Sequence, residues 1–233
     1  MSIETHYAIN MLYLTMALVL YFAIHSALAA MRLKSWLARH WPALMPAYRL
    51  VYNLLAVILL LPALWWAWRN PGPLLWQWPG IWSWLMDGLA ALALIGFVLS
   101  LKSYDTQVFL GWHQWRARTR DSKDPEPLSL TGLHRFVRHP WYFFILVIIW
   151  SRDLTLTQTI LYGLVSLYLV VGSRLEEAKL VAQFGEVYQR YRQQVAGLIP
   201  LPWRYLSRRE AQALMQLASR QRQGEFKQQR ATD

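Results

Sequence analysis

The sequence predicts an all-α, polytopic membrane protein with about five transmembrane helices, and three observations support this. Charged residues make up 16% of the 233 residues, against about 25% in a typical soluble domain. The uncharged stretches include residues 5–31, 50–68 and 154–173, and about 18 apolar residues suffice to cross a bilayer core. The chain has 55% hydrophobic residues and no Cys. This composition excludes a disulfide-built domain, a Cys-based zinc site and a Cys nucleophile.

The first three predicted helices cover about residues 7–30, 48–68 and 82–101. The first is expected to be retained rather than cleaved, although Ala27-Leu28-Ala29 mimics a signal-peptide cleavage site. No Lys or Arg precedes it, and its apolar run is too long for a signal-peptide core. The second helix is expected to end at the turn Asn70-Pro71-Gly72-Pro73.

The last two predicted helices form a tight hairpin. Pro140 opens the fourth helix, since Pro suits the first helical turn. Its uncharged part, residues 139–151, is about 20 Å long at 1.5 Å per residue, which is short of the roughly 30 Å hydrocarbon core. Arg152 and Asp153 are expected to pair in the turn before the fifth helix, residues 154–173. We therefore expect a hairpin that reaches the far surface incompletely or thins the bilayer there.

The positions of Lys and Arg predict the orientation. Of the 24, four lie in residues 31–49, seven in 102–138 and eleven after residue 173, whereas Arg69 and Arg152 lie on the other side. The positive-inside rule puts the larger group in the cytoplasm, with the N-terminus out and the C-terminus in. The expected location is a bacterial-type inner membrane. The net charge of +11 then reflects topology and anionic lipid headgroups, so membrane lipids are expected partners and nucleic acid is not.

Three parts are expected along the chain. Residues 1–127 hold the first three helices and a cytoplasmic loop, residues 128–203 form a C-terminal module, and residues 204–233 form a basic cytoplasmic tail. Apolar residues recur at helical spacing in the tail, which predicts a surface helix that frays after Gly224. The sequence does not indicate an oligomeric state.

Polar residues at the ends of membrane spans are functional candidates because burying them there is costly. The first cluster runs from Gly132 to Tyr142 and contains Arg135, Arg138 and His139. His139 and Tyr142 are three residues apart and are expected to share a helix face. Extended geometry before Pro140 is expected to aim the His139 ring at the cytoplasmic rim. The alternative interpretation is a basic juxtamembrane anchor.

The second cluster is Arg174-Leu175-Glu176-Glu177. Because adjacent helical residues face different sides, one acid can point to water and the other into the bundle. The alternative is a solvated stretch with a Glu176–Lys179 pair.

The third cluster contains Phe184-Gly185, Tyr188 and Tyr191. The two Tyr rings, three residues apart, could lie over a planar or cationic ligand. The alternative is the packing of an amphipathic helix.

Together the clusters are more specific than any one alone. Arg-His-Pro-x-Tyr at 138–142, Glu-Glu-x-x-Leu-x-x-x-Phe-Gly-x-x-Tyr-x-x-Tyr at 176–191 and Ile-Pro at 199–200 resemble the integral-membrane methyltransferase superfamily. That superfamily includes isoprenylcysteine carboxyl methyltransferases and phospholipid methyltransferases. The stretches from His25 to Ala29 and from Tyr48 to Asn53 are similar to its bacterial branch of methanethiol S-methyltransferases and NnrU proteins.

The resemblance implies S-adenosylmethionine as methyl donor and a small or lipophilic acceptor, which could be a thiol, an isoprenoid carboxylate or a lipid amine. No metal ligands are expected. Glu176 or Glu177 would take the amino or ribose end of the cofactor or orient the nucleophile. The other implied cofactor-binding residues are Arg138, His139, Pro140, Tyr142, Tyr188 and Tyr191. The candidate catalytic residues are Glu177, Arg174 and His25.

His25 has two interpretations. It could be an acceptor-side base, because its unperturbed pKa of about 6.5 allows proton transfer near neutral pH. It could instead be a structural residue bonded to Asn53 or to a backbone carbonyl.

Three residues depart from the family pattern: Phe144 replaces a usual Gly, His134 a usual Tyr and Ala196 a usual Pro. A ring at Phe144 is expected to narrow the cofactor cleft or reshape the acceptor path. Two other functions stay open, the second of them because of Phe144. One is an NADPH-dependent enzyme similar to sterol reductases, and the other is a non-enzymatic accessory protein similar to NnrU.

Overall fold

The computed structural model describes residues 2–101, 105–118 and 128–232, with side chains up to residue 221. The predicted loop 102–138 therefore lies partly outside the described residues. The α-helices are α1 (Ile3–Ala29), α2 (Met31–His40), α3 (Met45–Arg69), α4 (Ile81–Leu101), α5 (Thr106–Leu110), α6 (Trp112–Arg116), α7 (Pro140–Trp150), α8 (Leu156–Gln194) and α9 (Arg208–Thr232). Two short strands, β1 (Leu74–Trp76) and β2 (Leu154–Thr155), and the 3-10 turns Pro42–Leu44 and Gly132–Arg135 complete the elements.

The predicted all-α membrane architecture is confirmed. Four helical segments in the described parts of the chain are long and apolar enough to cross a membrane: Ile3–Ala29, Pro42–Arg69, Ile81–Leu101 and Leu156–Gln194. Helix α7 stands where the fourth of five spans was predicted, and its 11 residues reach only about 17 Å. The shortness of the fourth predicted helix is therefore observed, whereas the five-span count and the hairpin of two spans stay predictions.

Local sequence signals set several helix ends. Ser2 caps α1 by accepting the backbone N–H of Thr5 at 3.2 Å, as N-cap Ser residues do. Pro46 lies in the first turn of α3, where its missing N–H costs nothing. Asn70 ends α3, at the start of the predicted Asn-Pro-Gly-Pro turn.

Contacts within the chain divide it into two compact units. The first comprises Met1–Leu89, Tyr104–Asp124 and Ile149–Tyr168, and the second comprises Ala90–Ser103, Pro125–Ile148 and Leu169–Asp233. The first unit has an apolar core of Leu14, Leu18, Ala63 and Leu161. The division into 1–127, 128–203 and 204–233 stays a prediction.

At one end of the first unit, the connection after α3 meets the turn before α8. Strands β1 and β2 pair there in antiparallel fashion, and Asp153 accepts the backbone N–H of Trp78 at 3.0 Å. Arg152 forms its ion pair with Asp87, at 2.6 Å, so the predicted Arg152–Asp153 pair was wrong. Asn10 of α1 lies 3.4 Å from Asn70 at the same end. The N-terminal part of α1 and both predicted outer connections thus lie together at one end of the first unit, and the side of the membrane they face stays a prediction.

The second unit holds the other apolar core. Its buried members come from the segment before α7, the end of α8, the following loop and α9: Leu130, Phe184, Val187, Tyr188, Tyr191, Val195, Leu206, Ala211, Leu214 and Ala218. Backbone hydrogen bonds join the two loops, from Arg138 N to Ala196 O at 2.9 Å and from His139 N to Gly197 O at 3.1 Å. The backbone of α9 is helical through Thr232, so the predicted fraying after Gly224 is not observed.

Helix α8 is broken at Gly185. This residue has φ 53° and ψ −131°, a conformation that is essentially open only to Gly. The break lies within the second unit and separates the part of α8 with Glu176 and Glu177 from the last turns, which carry Tyr188, Tyr191 and Arg192. The Gly of the Phe184-Gly185 motif therefore has a backbone role.

Candidate active site

The second unit brings together the polar residues at the start of α7 and in the middle of α8. The His139 ring lies between two carboxylates, with Nε2 3.0 Å from Glu177 Oε1 and Nδ1 3.5 Å from Glu176 Oε2. It stacks on the Tyr142 ring at 5.2 Å between centroids and 8° between planes. The shared face predicted from their spacing is therefore present. His139 is only 6% exposed, so its ring is covered by protein, and its place at the cytoplasmic rim stays a prediction.

The surroundings of His139 favour its protonated form. Burial by itself would lower the pKa of the imidazole. The hydrogen bonds and negative charges of Glu176 and Glu177 outweigh that effect, and the pKa of His139 is raised above its ordinary value of 6.5. A protonated imidazole donates from both nitrogens and can hold both carboxylates at once.

Glu177 is fully engaged by cations. Its carboxylate accepts from Arg138 Nε at 2.8 Å and from His139 Nε2 at 3.0 Å, and it lies 3.2 Å from Arg192 Nε. Its side chain is 8% exposed. A ligand could reach this carboxylate only by displacing one of these partners, so Glu177 is placed to organise the site.

Glu176 has the opposite character. Its side chain is 50% exposed, and it accepts a hydrogen bond from the Tyr142 hydroxyl at 3.3 Å. The structure shows no Glu176–Lys179 ion pair among the described residues, which was the alternative interpretation. One acid thus faces inward and the other faces water, as the sequence predicted for adjacent helical positions. Glu176 is the carboxylate that remains open to a ligand.

Two guanidinium groups bind the C-terminal carbonyls of α8. Arg138 Nη1 donates to the carbonyls of Arg192, at 2.9 Å, and Val195. Arg204 Nη2 donates to those of Arg192 and Gln193 at 3.1 and 2.7 Å. These carbonyls have no helical partner and carry the negative end of the helix dipole, so they attract cations. A cavity of about 360 Å³ opens beside them, lined by Arg138, Gln189, Arg192, Gln193, Gly197 and Arg204. The sequence analysis did not identify Arg192 and Arg204.

Tyr188 and Tyr191 lie in the core of the second unit. Each is 2% exposed, and the rings meet edge to face with centroids 5.5 Å apart. The Tyr191 hydroxyl donates to the His134 carbonyl at 2.6 Å. In this structure both rings are covered by protein, so the placement matches the packing alternative rather than rings stacked on a ligand.

Two other predicted site residues of the second unit, Pro140 and Arg174, take no part in the ion-pair network around Glu177. Pro140 is buried at the start of α7 and sets the position of the helix. Arg174 is exposed, and the described residues show no hydrogen bond or ion pair for it. Its predicted catalytic role stays a prediction without a structural partner.

The ring of Phe144 packs against α4. A Cβ added at Gly96 would lie 2.5 Å from this ring, so the ring fills the space that the glycine leaves. Phe97 and Trp141 also meet at 5.8 Å between ring centroids. Phe144 thus faces α4, whereas Tyr142 faces Glu176 of α8. The bulk expected to narrow the cofactor cleft is accommodated at Gly96.

His25 lies in the first unit, among aromatic side chains. Its Nε2 is 2.8 Å from the Tyr52 hydroxyl, and its buried Nδ1 has no hydrogen-bond partner among the described residues. The neighbouring Ser26 hydroxyl lies 3.2 Å from the Tyr168 hydroxyl. The predicted structural partner Asn53 was wrong, because it donates to carbonyls of Phe109 and Leu110. The role of His25 as a base stays a prediction.

Comparison with known proteins gives a consistent group of relatives. Methanethiol S-methyltransferase 2 of Bradyrhizobium diazoefficiens is 31% identical over 182 residues, covering 77% of this chain and 69% of the relative. Methanethiol S-methyltransferase 1 of the same organism is 31% identical over 199 residues, covering 82% and 67%. Methanethiol S-methyltransferase of Mycobacterium tuberculosis is 29% identical over 199 residues, covering 79% and 76%. No protein-family model matches the chain, and no solved structure matches it significantly. These names favour the methyltransferase over the reductase and the accessory protein.

Proposed function

The chain belongs to the methanethiol S-methyltransferase family, and from that premise we propose that it transfers a methyl group from S-adenosylmethionine to a small thiol. The proposed site is the network around His139, Glu176 and Glu177. The observation that carries the proposal is the half-exposed Glu176 carboxylate, held by Tyr142 and His139.

The residues present fit the chemistry of this cofactor. S-adenosylmethionine supplies a methyl group on a positively charged sulfur, and it also carries an ammonium group, a carboxylate and ribose hydroxyls. Glu176 can accept from the ammonium or the hydroxyls, since charge-assisted hydrogen bonds are the strong ones. Tyr142 provides an aromatic ring next to that carboxylate, and such rings attract cations.

The buried part of the network would hold this arrangement rigid. His139 shares its two ring nitrogens between Glu176 and Glu177, and Arg138 and Arg192 fix Glu177 in turn. Methyl transfer needs little acid catalysis when the acceptor is already a good nucleophile. The contribution of the protein is then positioning and exclusion of water, which can account for several kcal/mol of a reaction barrier.

The choice of a thiol rests on the relatives, whose printed name specifies methanethiol. The sequence by itself also allowed an isoprenoid carboxylate or a lipid amine. An assay of this chain must therefore compare all three acceptor classes.

The test is methyl transfer by the purified full-length protein in detergent, with methyl-labelled S-adenosylmethionine. Methanethiol, a prenylated cysteine and phosphatidylethanolamine are offered in parallel. We expect label in the volatile sulfide product from methanethiol. Glu176→Gln should reduce kcat/KM on the order of tenfold or more, the cost of a lost charged hydrogen bond.

Glu186→Gln is the matched control, because Glu186 is 82% exposed and pairs only weakly with Arg190, at 3.8 Å. It should retain full activity. Label in the prenylated cysteine or the lipid alone would overturn the choice of a thiol. Absence of transfer to every acceptor by a folded sample would overturn the proposed function.

A further inference from the structure

The loop between α8 and α9, residues 195–207, exposes large apolar side chains outside the apolar helices. Ile199, Trp203 and Tyr205 are 65%, 74% and 53% exposed. The exposed Phe136 ring stacks on the Tyr205 ring, with 6.1 Å between the ring centroids and 23° between the planes. Large apolar side chains concentrated on one exposed loop indicate a surface that contacts a partner or a membrane.

The backbone of this loop is fixed by hydrogen bonds. Arg204 N donates to Leu201 O at 2.9 Å and closes a tight turn with Pro202 and Trp203 at its tip. Pro suits the first of these two central positions. Leu206 is buried, and its N–H donates at 2.9 Å to the last carbonyl of the 3-10 turn before α7. The fold therefore buries one apolar residue of the loop and presents Trp203 to the outside on a fixed turn.

The charge beside these apolar side chains is positive. Residues 195–209 contain three Arg and no acid. Two of the three, Arg208 and Arg209, are exposed, and the described residues show no ion pair for either. Both lie in the first turn of α9, where the helix dipole disfavours cations, so helix stability does not account for them. The first acid after this stretch, Glu210, accepts the backbone N–H of Ser207 at 2.7 Å in a capping box.

A bilayer surface with anionic headgroups complements both features. Trp and Tyr side chains are enriched where a membrane meets water, and Arg residues near the surface are attracted by anionic lipids. A second copy of the chain would bring the same cations and no acid from this stretch, so its charge does not complement the loop. Because the described parts of the chain include four helices that can cross a membrane, a bilayer is the surface that the protein always meets.

We propose that residues 195–207 and the first turn of α9 form a docking surface for anionic phospholipids. The exposed apolar side chains of the loop enter the headgroup boundary, and Arg208 and Arg209 bind the lipid phosphates. This surface is independent of the proposed function. It is also more specific than the general attraction of a basic chain to a membrane, since it assigns one loop, two cations and one class of lipid.

The absence of Cys from the chain allows a single fluorescent label to report on the loop. Ile199→Cys carries the label NBD in the full-length protein, which is reconstituted in phosphatidylcholine vesicles. Increasing amounts of nitroxide-labelled phosphatidylglycerol or, separately, nitroxide-labelled phosphatidylcholine are then included. We expect both lipids to quench the label, because quenching requires contact between the loop and lipid. Half-maximal quenching should need at least about fivefold less phosphatidylglycerol, the effect of one cation near an anionic surface.

Substitution of the two cations tests their role. Arg208→Gln combined with Arg209→Gln should bring the two half-quenching concentrations within about twofold of each other. The corresponding double Lys variant retains both charges and should keep the preference for phosphatidylglycerol. Arg190→Gln is the matched control, because Arg190 is exposed and pairs with Glu186; it should keep the full preference. The same label on Glu186→Cys, at a charged position that is 82% exposed, should be quenched by neither lipid.

Three outcomes would overturn the inference. Quenching of the label on Ile199→Cys by neither lipid would show that the loop does not reach the bilayer, and shielding of this label from iodide as well would show that protein covers it. Equal quenching by the two lipids would show contact with lipid without recognition of its charge. A preference that survives the double Gln variant would show that Arg208 and Arg209 do not bind the phosphates.

Discussion

Replacing Glu177 by Gln removes the negative charge at the centre of the ion-pair network. Arg138, His139 and Arg192 all bind this one carboxylate. The Gln amide has one uncharged oxygen acceptor, whereas the Glu177 carboxylate has two charged ones. Its NH₂ group is a donor and would face the N–H donors of the three cations. The variant therefore leaves buried cations without their counter-charge, the situation in which a broken ion pair is most costly.

The burial of each partner determines how much folding free energy Glu177→Gln loses. The side chains of Glu177, Arg138 and His139 are 8%, 13% and 5% exposed, so the cost for a buried pair applies, about 3–5 kcal/mol. Arg192 is 45% exposed, and solvent screens its share to a few tenths of a kcal/mol. In a chain of this length 1 kcal/mol shifts Tm by about 2–4 °C, so we expect a fall of about 6–20 °C.

The assay is thermal unfolding in detergent, followed by the intrinsic fluorescence of the 14 Trp residues. Glu186→Gln is the control, since its exposed pair with Arg190 contributes about 0.3–0.5 kcal/mol at most. Glu176→Gln should also leave Tm nearly unchanged, because that carboxylate is half exposed. If Glu177→Gln melts within 2 °C of the wild type, by the same conversion, the assignment of Glu177 as the organising residue is refuted.

Three other substitutions test the packing, the backbone and the charge of the second unit. Gly96→Ala would push a Cβ to 2.5 Å from the Phe144 ring and should destabilise by about 1–3 kcal/mol, the cost of overpacking. Gly185→Ala forces an L-residue into φ 53°, ψ −131° and should cost about 1–3 kcal/mol. Because the pKa of His139 is raised in the folded state, its contribution to stability is complete below pH 6.5 and is lost as the pH rises through the raised value. His139→Gln should therefore flatten the dependence of Tm on pH above 6.5.

Matched measurements decide these three predictions. Gly88→Ala, on the same helix as Gly96 but facing open space, should stabilise by about 0.5–1 kcal/mol, the gain of Ala over Gly in a helix. A Gly96→Ala variant as stable as Gly88→Ala would contradict the Phe144 contact. A Gly185→Ala variant with unchanged Tm would contradict the strained break in α8. The same dependence of Tm on pH in wild type and His139→Gln would contradict the role of His139 as a donor to both Glu176 and Glu177.

The parts of the fold that depend on local sequence could be predicted. Long uncharged stretches identified the membrane helices, and the short stretch after His139 identified α7 as too short for a full span. The three-residue spacing of His139 and Tyr142 predicted their shared face, and the adjacent acids Glu176 and Glu177 were expected to face different sides. Each of these inferences uses only helical geometry and hydrophobicity.

The features that depend on long-range packing could not be predicted. Arg204 joins the site because the loop after α8 folds back to the carbonyls of Arg192 and Gln193, which no local pattern signals. Likewise Arg152 forms an ion pair with Asp87 rather than with the adjacent Asp153, because the turn before α8 lies beside the first turns of α4. Tyr188 and Tyr191 have a spacing that suits both a ligand and a core, and only the packing of α9 over them distinguishes the two.

The packing of Phe144 could not be predicted from the local sequence either. Its bulk was expected to act on the cofactor cleft, since the family pattern has Gly at that position. The compensating residue, Gly96, lies on a different helix far away in the sequence. The orientation in the membrane, the inner-membrane location and the role of His25 stay predictions.

The central claim is that the exposed carboxylate beside His139 and Tyr142 binds S-adenosylmethionine. Its most direct test is calorimetric titration of this ligand into the wild type, Glu176→Gln and Glu186→Gln. We predict binding to the wild type and to Glu186→Gln with the same affinity, and binding to folded Glu176→Gln that is weaker on the order of tenfold. Equal binding to all three proteins, or no binding to the folded wild type, would contradict the account.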